Sequence, residues 1–240
     1  MKYVKDLTGR LAHRPYYESA EIDAVCESAI TAFVRDVHGC VTYPIPTGTL
    51  TKLIERDAED LDLYATREQL GSDVEGATDF IPGGRPRVAI LRDLSESPHS
   101  ENRLRTTLMH EYGHVLFHDR LWQAKVEELD LFTNSGAEQT HRCYRDTILA
   151  TAPTDWMEWQ AGYASGALLM PASEVVSLLR GLFGSGCNLG TLTVNSAGGV
   201  RVLNEASRHF AVSRDAARVR LEQLGHLAST EPAGRLFRRG

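Results

Sequence analysis

The segment HEYGH, residues 110–114, constrains the fold of this 240-residue chain more than any other feature. Residues four apart on an α-helix project from the same face, so His110 and His114 can share one metal ion if the segment is helical. Glu111 then lies beside the pair, where its carboxylate can take a proton from a water that zinc activates for amide hydrolysis. The alternative is a surface helix that carries two solvated histidines.

The residues around the motif predict a helix over 100–118, which Ser100 can cap. Four apolar residues recur at helical spacing: Leu104, Leu108, Val115 and Leu116. His118 continues the four-residue series, but at about 1.5 Å per residue it lies roughly 12 Å along the axis from His110. The rings of His110 and His118 therefore cannot both bind the same ion, because each nitrogen would have to lie about 2 Å from it. We therefore expect His118 to support a ligand or to interact with the C-terminal end of the helix.

A catalytic zinc site needs a third protein ligand, which should come from another helix. Asp155 can cap a helix that begins at Trp156 and that Pro171 ends. The run of small residues at 161–167 allows this helix to approach a neighbour closely, and Glu158 lies in its first turn. The pattern alone leaves Glu158 open as either the third ligand or an exposed carboxylate near the positive end of the helix dipole.

Two stretches, HEYGHVLFH at 110–118 and EWQAGYASGALLMP at 158–171, together resemble the ImmA/IrrE family of bacterial metallopeptidases. Members of that family pair an HExxH helix with a later helix of the pattern ExxA(N/D)xxAxxLLMP. The resemblance implies that Glu158 completes a His-His-Glu site for one Zn²⁺ per chain, with Glu111 as the general base. Gly162 departs from the pattern, because relatives have Asn or Asp at that position.

The resemblance also implies a fold and a substrate. The implied fold is an α+β, zincin-like (gluzincin-like) metallopeptidase core, with a small mixed or antiparallel sheet and a helical, helix-turn-helix-like C-terminal tail. The implied activity is endopeptidase cleavage of a protein substrate. Substrates in that family are transcriptional repressors, often helix-turn-helix proteins, that control a stress response or a mobile element.

Several side chains can stabilise a transition state, and the sequence does not rank them. They are His141, Arg142, Tyr144 and Tyr163. Cys143 lies among them, and its thiolate can inhibit the site by reaching the zinc. For each of these residues the alternative is an ordinary packing or surface role. The alternating segment RVAILRDL, residues 87–94, is expected to be an edge strand that can pair an extended substrate through its backbone.

The length of the chain suits one catalytic domain with an appendage. We expect a metallopeptidase domain over 1–200, with 119–154 as an insertion or a lid, and a helical tail over 201–240 packed on the core. The four cysteines form no CxxC pair, which argues against a zinc ribbon and a disulfide framework. No segment has the roughly 18 apolar residues that a membrane helix needs, so we expect a cytoplasmic protein that does not contact a membrane.

The tail segment at 205–225 resembles a helix-turn-helix, in which Ser213 caps a second helix that carries Arg214, Arg218 and Arg220. The formal net charge of −6 disfavours nucleic-acid binding, because phosphate contacts need surplus Lys and Arg. We therefore expect the tail to pack on the core. The alternative function is a non-catalytic, zinc-containing regulator that binds DNA or a partner protein through these helices. The sequence does not indicate an oligomeric state.

Upstream of the motif, apolar residues at three-to-four spacing predict a helix from Ile22 to Val37 that ends at Gly39. A shorter helix should begin after Thr49. The segment LDLYA, residues 61–65, alternates as a short strand should.

Overall fold

The computed structural model describes residues 1–9, 11–81, 83–130, 139–144, 155–184 and 190–229, and for 122–130 and 139–144 it describes the backbone alone. The strands are β1 (Lys2–Lys5), β2 (His13–Tyr16), β3 (Asp60–Ala65), β4 (Val74–Phe80), β5 (Arg87–Leu91), β6 (Gln139–Tyr144), β7 (Leu192–Thr193) and β8 (Leu227–Ala228). The helices are α1 (Ser19–His38), α2 (Thr47–Asp57), α3 (Arg67–Leu70), α4 (Arg92–Ser95), α5 (Glu101–Asp130), α6 (Trp156–Leu169), α7 (Ala172–Phe183), α8 (Ala197–Phe210) and α9 (Arg214–Gln223). The fold is mixed α+β.

The largest sheet has four strands in the order β3-β5-β4-β6. Strand β5 runs parallel to β3 and antiparallel to β4, and β6 pairs antiparallel with β4. The segment RVAIL is therefore a strand, as its alternation predicts, but the expectation of an edge strand is wrong because β3 and β4 flank it on both sides. The chain turns into α4 at Arg92, so the last three residues of the predicted strand are helical.

Strand β4 lies against α5, and almost all of its residues are buried. The sequence does not predict it, because Glu75, Gly76 and Asp79 interrupt any apolar alternation. Its contact with α5 accounts for the glycine. A Cβ atom on Gly76 would lie 2.6 Å from Glu111 Oε1 and 2.9 Å from Thr107 Cγ2, so strand and helix can meet here only without a side chain.

Helices α5 and α6 pack closely through small residues, as the alanine and glycine run of α6 predicts. A Cβ atom on Gly113 would lie 3.0 Å from Ala161 Cα and 3.2 Å from Ala164 Cβ. Ser165 adds a hydrogen bond across the contact, from its Oγ to Thr106 O at 2.9 Å. The backbones of the two helices are thereby held close enough for their side chains to share one site.

Helix α1 confirms the predicted helix upstream of the motif and covers the core with one face. Its buried residues are Ile22, Cys26, Ile30, Phe33 and Val34. The helix ends at Gly39, which has a φ of 76° and donates its N–H to Arg35 O. This left-handed position favours glycine because a Cβ atom would be strained there.

Near the end of the described residues lies the helix pair α8–α9, joined where the helix-turn-helix pattern predicts. Ser213 Oγ accepts the N–H of Ala216 at 3.1 Å and caps α9. Arg220 is 1% exposed and pairs with Asp23 of α1, with 2.7 Å between Nη2 and Oδ1. Its Nε also donates to Met170 O at 3.0 Å. The tail helices are therefore packed on the rest of the fold.

The N-terminal strands β1 and β2 form an antiparallel hairpin that the sequence does not predict. The carboxylate of Asp6 organises its loop by accepting the backbone N–H groups of Thr8 and Leu11. Asp6 Oδ1 also accepts the indole N–H of Trp156 at 3.2 Å, which ties the hairpin to α6. A second tie runs from Gln160 Nε2 to Pro15 O at 3.3 Å.

Several expected boundaries fall within continuous elements. Helix α8 begins at Ala197, so a boundary between 200 and 201 would divide it. Helix α5 continues to Asp130, and β6 joins the main sheet, so these parts of 119–154 belong to the fold's regular elements. The rest of that range, and residues 230–240, lie outside the described residues.

Ser100 lies in a 3₁₀ turn before α5, and its Oγ donates to Ser97 Oγ.

The thiols of Cys26 and Cys40 are free. Cys26 is buried in the core, and this burial raises the pKa of its thiol. The side chain of Cys143 lies outside the described residues. Among the helices that the structure describes, none is by itself both long enough and apolar enough to cross a membrane.

Candidate metal centre

Three donor atoms converge between α5 and α6. His110 Nε2 lies 3.2 Å from Glu158 Oε2, and His114 Nε2 lies 3.3 Å from Glu158 Oε1. The two Nε2 atoms are 3.2 Å apart. The three side chains each offer one donor atom within 4.8 Å of the other two, so the group can hold a metal ion. The two histidines share a helix face as the motif spacing predicts, and Glu158 meets them from the first turn of α6.

The first turn of α6 is held by its N-cap. The carboxylate of Asp155 accepts the backbone N–H groups of Met157 and Glu158, at 3.2 and 3.4 Å. A capped first turn has fewer conformations available, and the close contact of Gly113 with Ala161 one turn later fixes its distance from α5. These two constraints place the Glu158 carboxylate opposite the histidine pair.

The site is buried and rich in negative charge. His110 and His114 are fully buried, and Glu158 is 9% exposed. Burial lowers the pKa of His110, but its hydrogen bond to Glu158 and the negative charges of Glu111 and Glu158 outweigh burial and raise the pKa overall. A buried carboxylate requires a compensating positive charge. The surroundings therefore favour a cation between the three donor atoms, either a proton or a metal ion.

The donor set fits a divalent metal. Two imidazole nitrogens and one carboxylate are donors that zinc and similar borderline metals accept, and three protein donors leave a coordination position for water or substrate. The Glu158 oxygens can only accept hydrogen bonds when ionised. A metal ion would take lone pairs from all three residues at once.

Glu111 is positioned by strand β4. Thr78 Oγ1 donates to Glu111 Oε2 at 2.7 Å, and the other carboxylate oxygen lies against the backbone at Gly76. Glu111 is fully buried and does not belong to the three-residue group. The Glu111 carboxylate is therefore held beside the three-residue group by a neighbouring strand.

His118 contacts His114, one of the two histidines of the three-residue group. Its Nδ1 lies 3.0 Å from His114 Nδ1, and its Nε2 lies 3.1 Å from Gln160 Oε1. The ring packs edge-on against Trp156, with 5.5 Å between the ring centroids. His118 therefore links His114, a candidate metal ligand on α5, to the first two turns of α6.

The structure does not bring Tyr163 to the three donor atoms. Its hydroxyl donates to Asp23 Oδ2 at 3.1 Å, and the guanidinium of Arg220 lies 5.4 Å from its ring centroid. Both contacts join α6 to α1 and α9, where Tyr163 has a packing role. Burial raises the pKa of its hydroxyl.

The other predicted candidates lie on β6. In its pairing with β4, His141 is opposite Thr78 and Arg142 is opposite Ala77, so the backbone of β6 runs beside the strand that holds Glu111. Their side chains, like that of Tyr144, lie outside the described residues. The role of His141 therefore stays a prediction.

Four residues contribute to the site in ways that the sequence does not predict: Gly76, Thr78, Gln160 and Pro15. Each acts through a contact between elements that are distant in the chain, and none stands at a specified position of the two motifs. Comparison with protein-family models and with curated proteins found no match for this chain.

Proposed function

We propose that this chain is a zinc-dependent endopeptidase with a zincin-like core. The observation that carries the proposal is the convergence of two histidines and Glu158 beside a further buried carboxylate, that of Glu111. A structural zinc site uses four protein ligands and needs no base, whereas a catalytic site uses three and keeps a position for water or substrate. Three donors plus a separately held base favour the catalytic alternative.

Each residue has a defined task in the proposed reaction. His110, His114 and Glu158 would hold the zinc ion, and a bound zinc would supply polarisation of the scissile carbonyl and a lowered pKa for the attacking water. Glu111 accepts the proton of that water at its carboxylate and passes it to the leaving amine. Thr78 keeps the carboxylate oriented through its hydroxyl hydrogen bond.

The proposed substrate is a protein, specifically a transcriptional repressor of a stress response or a mobile element. This part of the proposal rests on the resemblance of 110–118 and 158–171 to the ImmA/IrrE family. Within the described part of the sheet, β6 pairs on one side only, with β4, so its outer edge can take an extended segment through backbone hydrogen bonds. Because such a repressor acts inside the cell, the proposed location of the enzyme is the cytoplasm.

The rival function is a regulator that keeps zinc as structure and binds DNA or a partner protein through α8 and α9. That function needs the arginines of α9 at the surface. Arg220 is instead buried in an ion pair with Asp23, which removes one of three cations that would meet phosphate. This burial favours the peptidase.

Replacing Glu111 by Gln separates the two functions. The amide keeps the shape of the side chain but cannot take a proton, so Glu111→Gln should retain zinc and lose roughly 100 to 10,000-fold in cleavage rate. The measurement is cleavage of the protein encoded next to this gene, followed by gel and mass spectrometry, with and without chelator. Glu101→Gln is the matched control, because Glu101 is exposed on the same helix.

Metal analysis of the same proteins tests the ligand set. About one zinc per chain is expected in the wild type, His110→Ala or Glu158→Ala should lose most of it, and His118→Ala should keep most at saturating zinc. Full zinc retention in Glu158→Ala would remove the third ligand. If Glu111→Gln cuts as fast as wild type, Glu111 is not the base. If nothing is cut while the protein still binds its partner, the regulator replaces the peptidase.

A further inference from the structure

A continuous chain of hydrogen bonds connects the N-terminal hairpin to a candidate metal ligand. Gln160 Nε2 donates to Pro15 O at 3.3 Å, and Gln160 Oε1 lies 3.1 Å from His118 Nε2. His118 Nδ1 lies 3.0 Å from His114 Nδ1. Gln160 is 1% exposed and the two histidines are fully buried, so bulk water does not compete for these hydrogen bonds.

The Pro15 carbonyl, at one end of this series of hydrogen bonds, determines which atom donates in each of them. Pro15 O can only accept, so the amide nitrogen of Gln160 faces it and the amide oxygen faces His118. The neutral ring of His118 then carries its proton on Nε2 and accepts at Nδ1. His114 consequently donates from Nδ1 and presents a lone pair at Nε2. That nitrogen is the one directed at Glu158 and His110.

We propose that Gln160 and His118 are positioning residues of the metal centre, through which the β1–β2 hairpin orients His114 toward the metal. An imidazole that donates from one ring nitrogen to a fixed acceptor binds a metal through the other nitrogen and in one orientation. The proposal rests on the metal centre of the proposed function but not on the reaction that the centre performs.

Further contacts between the β1–β2 hairpin and α6 fix the position of the Pro15 carbonyl. Asp6 accepts the indole N–H of Trp156, and the Trp156 ring packs edge-on against His118. The guanidinium group of Arg14, on β2, lies over the Trp156 ring, with 5.4 Å between its carbon atom and the ring centroid. The hairpin therefore contacts the first turn of α6 both directly and through Gln160, which fixes the acceptor relative to the metal ligands.

Two substitutions at one position separate hydrogen bonding from packing. Gln160→Leu removes the acceptor for His118, and we expect zinc affinity to fall about 10 to 100-fold. Gln160→Glu keeps an acceptor for His118 but has no donor for Pro15, so zinc affinity should recover only in part, and the remaining deficit measures the contribution of the hairpin. The measurement is competition for Zn²⁺ with a chromophoric chelator. Ser207→Ala is the matched control, because it removes a hydrogen bond in the tail, from Ser207 Oγ to Val212 O at 2.6 Å, and should leave zinc affinity unchanged.

The imidazole tautomers give a second readout that packing alone would not change. Long-range ¹H–¹⁵N spectra of the zinc-free wild type should show His114 protonated at Nδ1 and His118 at Nε2. In Gln160→Leu both rings should become mixtures of tautomers. A wild-type His114 that carries its proton on Nε2 would overturn the proposal, and this result does not depend on whether the variants fold.

The zinc titration also separates this proposal from the proposed function. Equal zinc affinity in wild type and Gln160→Leu, or an equal loss in both Gln160 variants, overturns the positioning role. A wild type that binds no zinc overturns the role and the metal centre together. A wild type that binds zinc and cleaves no protein, with the expected loss in Gln160→Leu, removes the peptidase and supports the positioning role.

Discussion

Gly76 is the residue on which the geometry of the proposed base depends. A methyl group there would lie 2.6 Å from Glu111 Oε1, against a side chain that is already fully buried. We expect Gly76→Ala to displace the carboxylate and lower the cleavage rate roughly 100-fold, because misplacing a catalytic group by about 1 Å has effects of this size. Zinc content should stay near the wild-type value, since the three atoms nearest to the added methyl group belong to Glu111 and Thr107 and not to His110, His114 or Glu158.

The control for this substitution is Gly181→Ala in α7. No atom lies within 4 Å of the added methyl group at Gly181, so cleavage should be unchanged and stability equal or higher. The measurements are cleavage rate and zinc content of both variants. Normal cleavage by Gly76→Ala would mean that Glu111 does not work from the position in which β4 holds it.

Single residues were predictable only where spacing along one helix determines their position. His110, Glu111 and His114 follow from a motif, and the same rise per residue excludes His118 as a ligand and places it beside one. Glu158 needed the family resemblance, because a glutamate in a first helical turn is common. Thr78 and Gln160 were not predictable, because their contacts join segments whose relative positions no local pattern encodes.

The N-terminal hairpin depends on the ionised form of Asp6. Burial raises the pKa of this carboxyl group, but hydrogen bonds from Thr8, Leu11 and Trp156 outweigh burial and lower the pKa below that of an ordinary aspartate. A folded pKa below the unfolded value means that Asp6 stabilises the fold above that value and loses this effect as pH falls through the folded pKa. The hairpin should therefore loosen in acid.

The measurement is the melting temperature of wild type and Asp6→Asn between pH 7 and pH 3. The difference between the two proteins should be constant near neutral pH and shrink as Asp6 becomes protonated. Asp36→Asn, an exposed position on α1, is the control and should show little difference at any pH. A difference that grows in acid would contradict the lowered pKa.

At the scale of elements, helices were more predictable than strands. Helices α1, α6 and α9 have apolar spacing and end signals within their own sequence, and all three are present. Strand β4 has no such pattern because it is buried by α5 and by strands on both sides, which allows glycine and polar residues in its interior. The position of β5 in the sheet was mispredicted for a related reason, since pairing partners are not visible in a single strand.

For the molecule as a whole, the ion pair between Arg220 and Asp23 joins the tail to the first helix. Removing one member of a buried pair leaves an uncompensated charge, so Arg220→Met should lower the free energy of unfolding by about 3–5 kcal/mol. Arg218→Met is the matched control, because Arg218 is 39% exposed and its pairing with Glu222 should contribute about 1 kcal/mol or less. Chemical denaturation of both variants measures the difference.

The same pair of variants tests the DNA-binding alternative. If α9 packs on the fold, neither substitution should affect an interaction with DNA, because none is expected at physiological salt. Unchanged stability of Arg220→Met, together with salt-sensitive, sequence-specific DNA binding by the intact chain, would instead identify α9 as a recognition helix.

The complete burial of His110 and His114 has a kinetic consequence for the metal. Substrate would reach a bound ion at its free coordination position, but the ion can leave only when both buried histidines release it. That release requires α5 and α6 to separate locally, so the opening rate of the protein limits metal exchange. With increasing chelator, the rate of zinc loss should rise to a plateau, whereas an open site would lose zinc at a rate that keeps rising. The plateau rate of zinc loss would therefore measure the rate at which α5 and α6 separate. The half-life of the zinc-loaded protein would then be independent of its equilibrium affinity for zinc.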